Sequence, residues 1–430
     1  MAYSEFDEFK NKFIPKRKNA LLLADSFDRL GLELRAERCR CCGSMLEFAH
    51  SIDADGVVSD ESRLHKANFC RDRLCPMCTW RRSLKIFGQV SKVLEYVNWD
   101  KYKAVFVTLT IKNCPLNALK DTIDRIYKAF SRMVQDRRFK ESFPGGYFRV
   151  LEVTLGKDKK SWHPHLHIIF LAKKSYGPRS VVYLKQKDLS EIWDFYVCST
   201  VIPFKVLPKN RTCDNCLLAD NCELHKNTDY NGYETHIELD DNCGWRDVKE
   251  SCKHFTPKNR IDKIDPGAAK IVYIELVKAK DDDKDATMML KKAILETSKY
   301  MCKDSDYIIP DNPDLTDKLV NSLISGIGGR RLIQYGGMLA KIHAMLELDD
   351  AEDGNLVHVN DDELPFGDVA LLVIRYGWKA GAYIDLEHVV KDINVSKATS
   401  AKTISKRMRK FYKNLEKLKD DDTIRYANVT

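Results

Sequence analysis

Apolar positions recur at helical spacing in the first 35 residues: Phe6, Phe9 and Phe13, then Leu21, Leu22, Phe27 and Leu30. This predicts helix. From Tyr102 the rhythm changes. Ala104–Ile111 (AVFVTLTI) is rich in β-branched and aromatic residues and predicts a strand. Leu119, Ile123, Ile126, Phe130 and Met133 return to helical spacing, as expected of a helix laid on a sheet. Pro144-Gly145-Gly146 marks a turn. Tyr147–Leu155 and His163–Leu171 then predict a hairpin joined by the polar loop Gly156–Trp162. Residues 205–265 are polar with little periodicity and read as an insertion. Ile271–Val277 predicts a strand and Ala286–Lys303 a helix. Gly326-Ile327-Gly328-Gly329 and Gly336-Gly337 break the pattern before an apolar helix around Met338–Leu348. In Ser400–Lys419, Ile404, Met408, Phe411, Leu415 and Leu418 form a heptad-like stripe. Such a stripe suits a helix on a core, or one that meets DNA or a partner. No repeat of fixed period appears.

Composition narrows the class. The chain has 430 residues, 44% hydrophobic and 31% charged, an ordinary globular balance. Its apolar runs are far shorter than the ~20 residues of a membrane span. The acid-containing N-terminus lacks an apolar leader, so a cytoplasmic protein without membrane association is expected. Lys plus Arg number 71 against 63 Asp plus Glu, a net charge of +8. Distribution says more than the total. Lys66–Lys103 and Lys397–Lys419 are basic, and Glu347–Asp368 is acidic. Separated blocks of opposite sign predict nucleic-acid-facing surfaces and a solvated acidic linker.

Three histidines carry the strongest chemical signal. In Ser161-Trp162-His163-Pro164-His165-Leu166-His167, strand alternation puts His163, His165 and His167 on one face. Leu166, Ile168 and Phe170 take the other. Imidazoles two residues apart can share a divalent ion. Glu152 is an acid in the otherwise apolar neighbouring strand, which a hairpin brings close. Either Glu152 or His163 can complete the set, and an ion-pair role for Glu152 is the simpler alternative. On the helix before Lys303, Glu296 and Tyr300 are i,i+4 neighbours and Lys303 lies three further on. That face carries a carboxylate, a phenol and an ammonium.

Fourteen cysteines in a chain of this length point to metal ligands before disulfides. Cys39-x2-Cys42 and Cys75-x2-Cys78 form two knuckles with Cys41 and Cys70 beside them, a set that suits tetrahedral zinc. Arg71 and Arg73, with the run Arg81, Arg82 and Lys85, suggest phosphate contacts on this module. A purely structural zinc is the alternative. In the insertion, Cys213, Cys216, Cys222 and His225 can close a second zinc site, with Cys243, Cys252 and His254 following. An iron–sulfur cluster fits less well, since the spacing matches no ferredoxin run. Cys114, Cys198 and Cys302 look isolated.

In motif order the sequence resembles the rolling-circle replication initiators of small bacterial plasmids, within the HUH endonuclease superfamily. Phe106-Val107-Thr108-Leu109-Thr110 resembles the first strand motif, and His165-Leu166-His167 the metal-binding motif. Glu296, Tyr300 and Lys303, followed by Asp304-Ser305-Asp306, resemble the nucleophile motif. Cys70–Cys78 resembles the upstream cysteine motif, and Gly328-Gly329-Arg330-Arg331 to Gly336-Gly337 the common C-terminal segment. The resemblance covers roughly residues 65–340; the cysteine-rich insertion departs from it.

It implies an α+β fold: an antiparallel HUH nuclease core flanked by helices, an N-terminal zinc module, the insertion and a mostly helical C-terminal segment. The expected division is 1–98, 99–310 with the insertion at about 205–265, and 311–430. It implies Mg2+ or Mn2+ on His165, His167 and Glu152 or His163. Tyr300 would attack single-stranded or hairpin origin DNA to leave a 5′-phosphotyrosyl link and a 3′-OH primer. Lys303 would assist, and Glu296 would activate water for termination. Host helicase and DNA polymerase are the implied partners. Two other readings remain. An HUH transposase often uses two tyrosines on one helix, but Tyr307 lies seven residues past Tyr300, beyond the helix. A non-catalytic zinc-dependent DNA-binding regulator would leave the histidine strand and the Glu296–Tyr300–Lys303 face without a role.

Overall fold

The computed structural model describes residues 3–52, 58–199, 272–276, 293–295, 297–298, 302–357, 359 and 370–392. The insertion at 205–265, the stripe at 400–419, Glu296 and Tyr300 lie outside them. The chain opens with helices α1 (Tyr3–Arg29) and α2 (Glu33–Cys41), then strands β1 (Met45–Ile52) and β2 (Val58–Ala67). Helix α3 (Pro76–Glu95) starts at Pro76, whose missing N–H costs nothing at a first helical position. The central part holds β3 (Tyr102–Thr110), the short β4 (Cys114–Pro115), α4 (Leu119–Met133), α5 (Arg137–Ser142), β5 (Gly146–Leu155), β6 (Ser161–Lys173) and α6 (Gln186–Ser199). There follow β7 (Val272–Leu276), α7 (Pro313–Ile327), β8 (Ile333–Gly337), α8 (Met338–Met345), β9 (Ala370–Lys379) and β10 (Ala382–Asp392). No helix among the described residues is long and apolar enough to cross a membrane.

The strands form two antiparallel sheets. The larger runs β7-β3-β6-β5-β8, with β4 also paired to β6. The histidine strand β6 is therefore interior, and its residues from Pro164 to Ala172 are buried. One face meets α4, whose Ile123, Ile126, Phe130 and Met133 are buried. Phe170 sits at 4.7 Å and 4.9 Å, ring to ring, from Phe143 and Phe139. Each such buried side chain contributes about 1.5–3 kcal/mol. With that face committed to the core, register forces His165 and His167 to the other. Close approach of β5 and β8 requires glycine: a Cβ on Gly146, at φ +87°, would lie 2.1 Å from the Gly336 carbonyl oxygen.

The smaller sheet runs β10-β9-β1-β2. It corrects the expected mostly helical C-terminal segment: among the described residues, that region contributes β8, β9 and β10 beside α7 and α8. Because β1 pairs with β9 along its whole length, the regions before residue 98 and after residue 311 share one sheet.

The basic run on α3 departs from expectation as well. Arg81, Arg82 and Lys85, expected to face DNA, are buried. Arg81 donates to the carbonyls of Leu356 and Val357. Arg82 donates to those of Glu352, Asp72 and Arg71. Lys85 pairs with Asp349 at 2.6 Å. The acidic stretch is thus not simply a solvated linker. Glu352, fully buried, accepts from the backbone N–H groups of Leu332 and Ile333 at 2.9 and 3.1 Å and faces Arg73 at 3.3 Å. Burying such charges is tolerable because their donors and acceptors are satisfied.

Candidate metal centres and the tyrosine segment

The hairpin register sets Glu152 directly opposite His165, so both side chains leave the sheet on one face. Glu152 Oε2 lies 2.8 Å from His167 Nε2 and 3.2 Å from His165 Nε2, and the two Nε2 atoms are 3.1 Å apart. All three residues are buried. His163 is on the same strand but outside this group, with its Nδ1 2.8 Å from Asn113 Oδ1.

The outward nitrogens explain why the inner ones are free for a cation. His165 Nδ1 stands 3.1 Å from the carbonyl of His163. A carbonyl only accepts, so Nδ1 carries a proton, and in that tautomer of the neutral ring Nε2 is the atom that offers a lone pair. His167 Nδ1 meets the Thr108 hydroxyl at 3.1 Å, and its ring stacks on Phe106. Thr108 and Phe106 belong to the strand motif before α4, a supporting role visible only in the register. Burial alone would raise the Glu152 carboxyl; when protons occupy the two Nε2 atoms, hydrogen bonds and charge from His165 and His167 outweigh it and hold it well below the usual carboxylate range, and a bound ion takes the place of those protons. Three lone-pair atoms at such separations repel one another unless a cation lies between them. Adjacent ligands about 2.1 Å from an octahedral ion stand about 3.0 Å apart, so the donor set fits a small divalent ion.

A second group collects Cys42, Cys70, Cys75 and Cys78, all buried, with sulfurs within 4.8 Å of one another. The Sγ separations are 3.5 Å for Cys42–Cys78, 3.5 Å for Cys42–Cys75 and 3.7 Å for Cys70–Cys78. Tetrahedral thiolates about 2.3 Å from zinc lie about 3.8 Å apart, so these four fit that ion. The backbone N–H groups of Cys70, Arg71 and Asp72 point at three of the sulfurs, which favours thiolates. The set departs from the two knuckles. Cys70 takes part, whereas the Cys39 thiol donates to the Ala20 carbonyl and Cys41 is exposed. The residues expected to be ligands in the insertion, Cys213, Cys216, Cys222 and His225, lie outside the described residues.

The chain just past Tyr300 runs beside the first centre. The Asp306 carboxyl is raised by burial, with Glu152 adding to the rise and Lys303 opposing it. Cys302 is pushed well up by burial, then by Asp306 and Glu152. Lys303, exposed, precedes the single turn Asp304–Asp306. Asp304 accepts from Lys16 at 3.0 Å and Asn19 at 2.9 Å, tying this segment to α1. Tyr307 is fully buried, and its hydroxyl donates to the Leu74 carbonyl. It is thereby unsuited to act as a second nucleophile.

These features define an α+β protein with a His–His–Glu group on the paired interior strands β5 and β6 and a four-thiol group on a second motif. Comparison with known proteins gives the family. The family described as Replication protein matches residues 61–204 and 267–384, more than half of the chain. A protein named Protein rep from Bacillus amyloliquefaciens is 28% identical over 378 residues, covering 85% of this chain and 91% of that one. A Protein rep from a Bacillus species is 30% identical over 329 residues, 76% and 85% of the two chains. One from Streptococcus pneumoniae serotype 2 is 28% identical over 348 residues, 80% and 82%. The chain belongs to the replication-protein family, and its kinship with the rolling-circle plasmid initiators rests on these relatives as well as on its motifs. No solved structure matches it.

Proposed function

We propose that this replication initiator nicks and rejoins one strand of origin DNA through Tyr300, as an HUH endonuclease of the cytoplasm. The observation that carries the reading is the convergence of Glu152, His165 and His167 beside the segment that follows Tyr300. These three residues would hold Mg2+ or Mn2+, which when bound supplies Lewis-acid polarisation of a phosphate. The phenol oxygen of Tyr300 attacks phosphorus as its proton passes to a nearby base. The bond to the 3′ oxygen breaks, and that oxygen leaves as a hydroxyl. The products are a 5′-phosphotyrosyl link and a 3′-OH that primes synthesis. Attack by a 3′-OH reverses the step and restores the phenol. Lys303 offers charge to the phosphate, and Glu296, four residues before Tyr300 in the chain, serves the terminating cleavage.

On this reading residues 99–310 form the nuclease domain around the larger sheet, whose edge strand β8 is supplied from beyond residue 310. Cys42, Cys70, Cys75 and Cys78 hold a structural zinc that braces it, and Cys213, Cys216, Cys222 and His225 hold a second. Residues 1–98 and 311–430 are the flanking modules, and host helicase and polymerase take over at the primer. The test is incubation of the protein with labelled single-stranded origin DNA and Mn2+ or Mg2+. The expected outcome is a covalent adduct on a denaturing gel, absent with Tyr300→Phe and with EDTA. DNA binding without any adduct overturns the reading in favour of a non-catalytic regulator.

A further inference from the structure

Between α2, the 70–74 turn and the C-terminal end of α7, the surface opens a cleft of about 300 Å3. Arg35, Arg38, Arg71 and Arg73 line it against a single acid, Asp72, and Leu74, Ile324 and Ile327 form its apolar wall. The four cations are not equivalent. Arg35 grips Asp72 with two contacts of 2.8 and 3.1 Å. Arg73 donates to the Arg330 carbonyl and faces Glu352. Arg38 uses one nitrogen on the Cys70 carbonyl. The Arg71 guanidinium has no partner among the described residues. Its backbone is held in the left-handed region at φ 61°. That conformation is costly for a non-glycine residue. It is pinned from both sides: the Arg71 N–H points at Cys78 Sγ at 3.2 Å, and its carbonyl accepts from Arg82. The carbonyl end of α7 would repel an anion, but Arg330 caps Gly328 at 3.0 Å and Arg73 caps Arg330.

We propose that this cleft is a DNA phosphate site. Arg38 and Arg71 are the phosphate ligands, Arg35 and Arg73 are fixed cationic walls, and the apolar wall receives the adjoining sugar. Guanidinium forks match phosphate oxygens, and two here keep free N–H groups aimed at one space. Family membership supplies DNA as the ligand; the assignment does not depend on the cleavage chemistry. It keeps the expected phosphate contact at Arg71, drops those on α3, where the basic run is buried, and adds Arg38 of α2. Leu74, in the cleft wall, also accepts the Tyr307 hydroxyl, so bound DNA abuts the link to the tyrosine segment.

The test is binding of the full chain to a fluorescent single-stranded origin oligonucleotide over a salt series, without divalent ion, so that no cleavage is needed. The Arg38→Gln/Arg71→Gln double variant should bind at least about tenfold more weakly, with the log–log salt slope smaller by about 0.7, the value for one lost phosphate contact on a single strand. Arg40→Gln removes an exposed arginine of the same helix that pairs with Asp25 and Asp28, and should change neither quantity. Arg71→Lys should keep the slope. A reading that needs no variant is chemical modification of arginine in the wild-type protein. Bound oligonucleotide should protect Arg38 and Arg71 and leave Arg40 reactive. An unchanged slope and affinity in the folded double variant, or equal modification with and without DNA, overturns the proposal. A missing covalent adduct would count against the nuclease reading and leave this one standing.

Discussion

The hydroxyl of Tyr307 donates to the carbonyl of Leu74, the residue immediately before Cys75. This bond joins the segment that follows Tyr300 to the turn that carries the thiol cluster. Tyr307→Phe deletes it and leaves a buried carbonyl unpaired, at a cost of about 1–3 kcal/mol. Chemical denaturation of wild type and variant should show a lower midpoint of that size. Covalent-adduct yield should fall while metal content stays unchanged.

Glu152→Gln keeps the shape of the first centre and removes its negative charge. Manganese affinity, read by isothermal titration, should drop by at least about 100-fold. Thr108→Val removes only the support behind His167 and should cost about 10–100-fold, the usual range for an outer partner. Equal losses for the two variants would contradict the ligand assignment.

Zinc content separates the cysteines. If the Cys42, Cys70, Cys75 and Cys78 group holds zinc as proposed, Cys70→Ser should lose that ion, lowering the metal-to-protein ratio by one in mass spectrometry of the purified protein. Cys39→Ser should retain it, because that thiol is engaged with the Ala20 carbonyl.

Arg82→Ala tests whether α3 serves the fold or DNA. It strips donors from three backbone carbonyls. At about 1 kcal/mol for each lost hydrogen bond the loss is about 3 kcal/mol. In whatever fraction remains folded, the salt slope of DNA binding should match that of wild type.

Asp304 gives a pH signature. Burial would raise its carboxyl, but Asn19 and Lys16 outweigh this and hold it below its ordinary value. A carboxyl depressed on folding contributes stability that is complete above its unfolded pKa, about 3.9, and is lost as pH falls through the folded value. Asp304→Asn should therefore be less stable than wild type at neutral pH. The gap between their denaturation midpoints should close as pH falls below about 4.

Several elements are legible in the order of residues alone. The periodicity of Leu119 to Met133 marks α4 because a helix on a sheet must bury one face. The alternation in His163–Phe170 marks β6 for the same reason, and hairpin proximity brings Glu152 into view. The strands β1, β9 and β10 escape such a reading, although Leu46 and Phe48 alternate and Ala370–Tyr376 is nearly all apolar. β1 and its partner β9 lie more than 300 residues apart in the chain, and such a pairing leaves no local mark.

Residue order alone supplies the inventory: an acid and two histidines at positions a hairpin must bring together, enough thiols for zinc, and a tyrosine in the motif order of its family. The tertiary structure decided the partners. It chose Cys70 over Cys39 because a closed turn, and not chain spacing, sets which sulfurs meet. It turned Arg81, Arg82 and Lys85 inward because groups of residues 349–357, with the carbonyls of Arg71 and Asp72, saturate them. It left Arg71 aimed outward because its backbone is pinned from both sides. A charge has the same formal value in every fold, and only the packed chain determines whether its field reaches solvent or is neutralised by a neighbour.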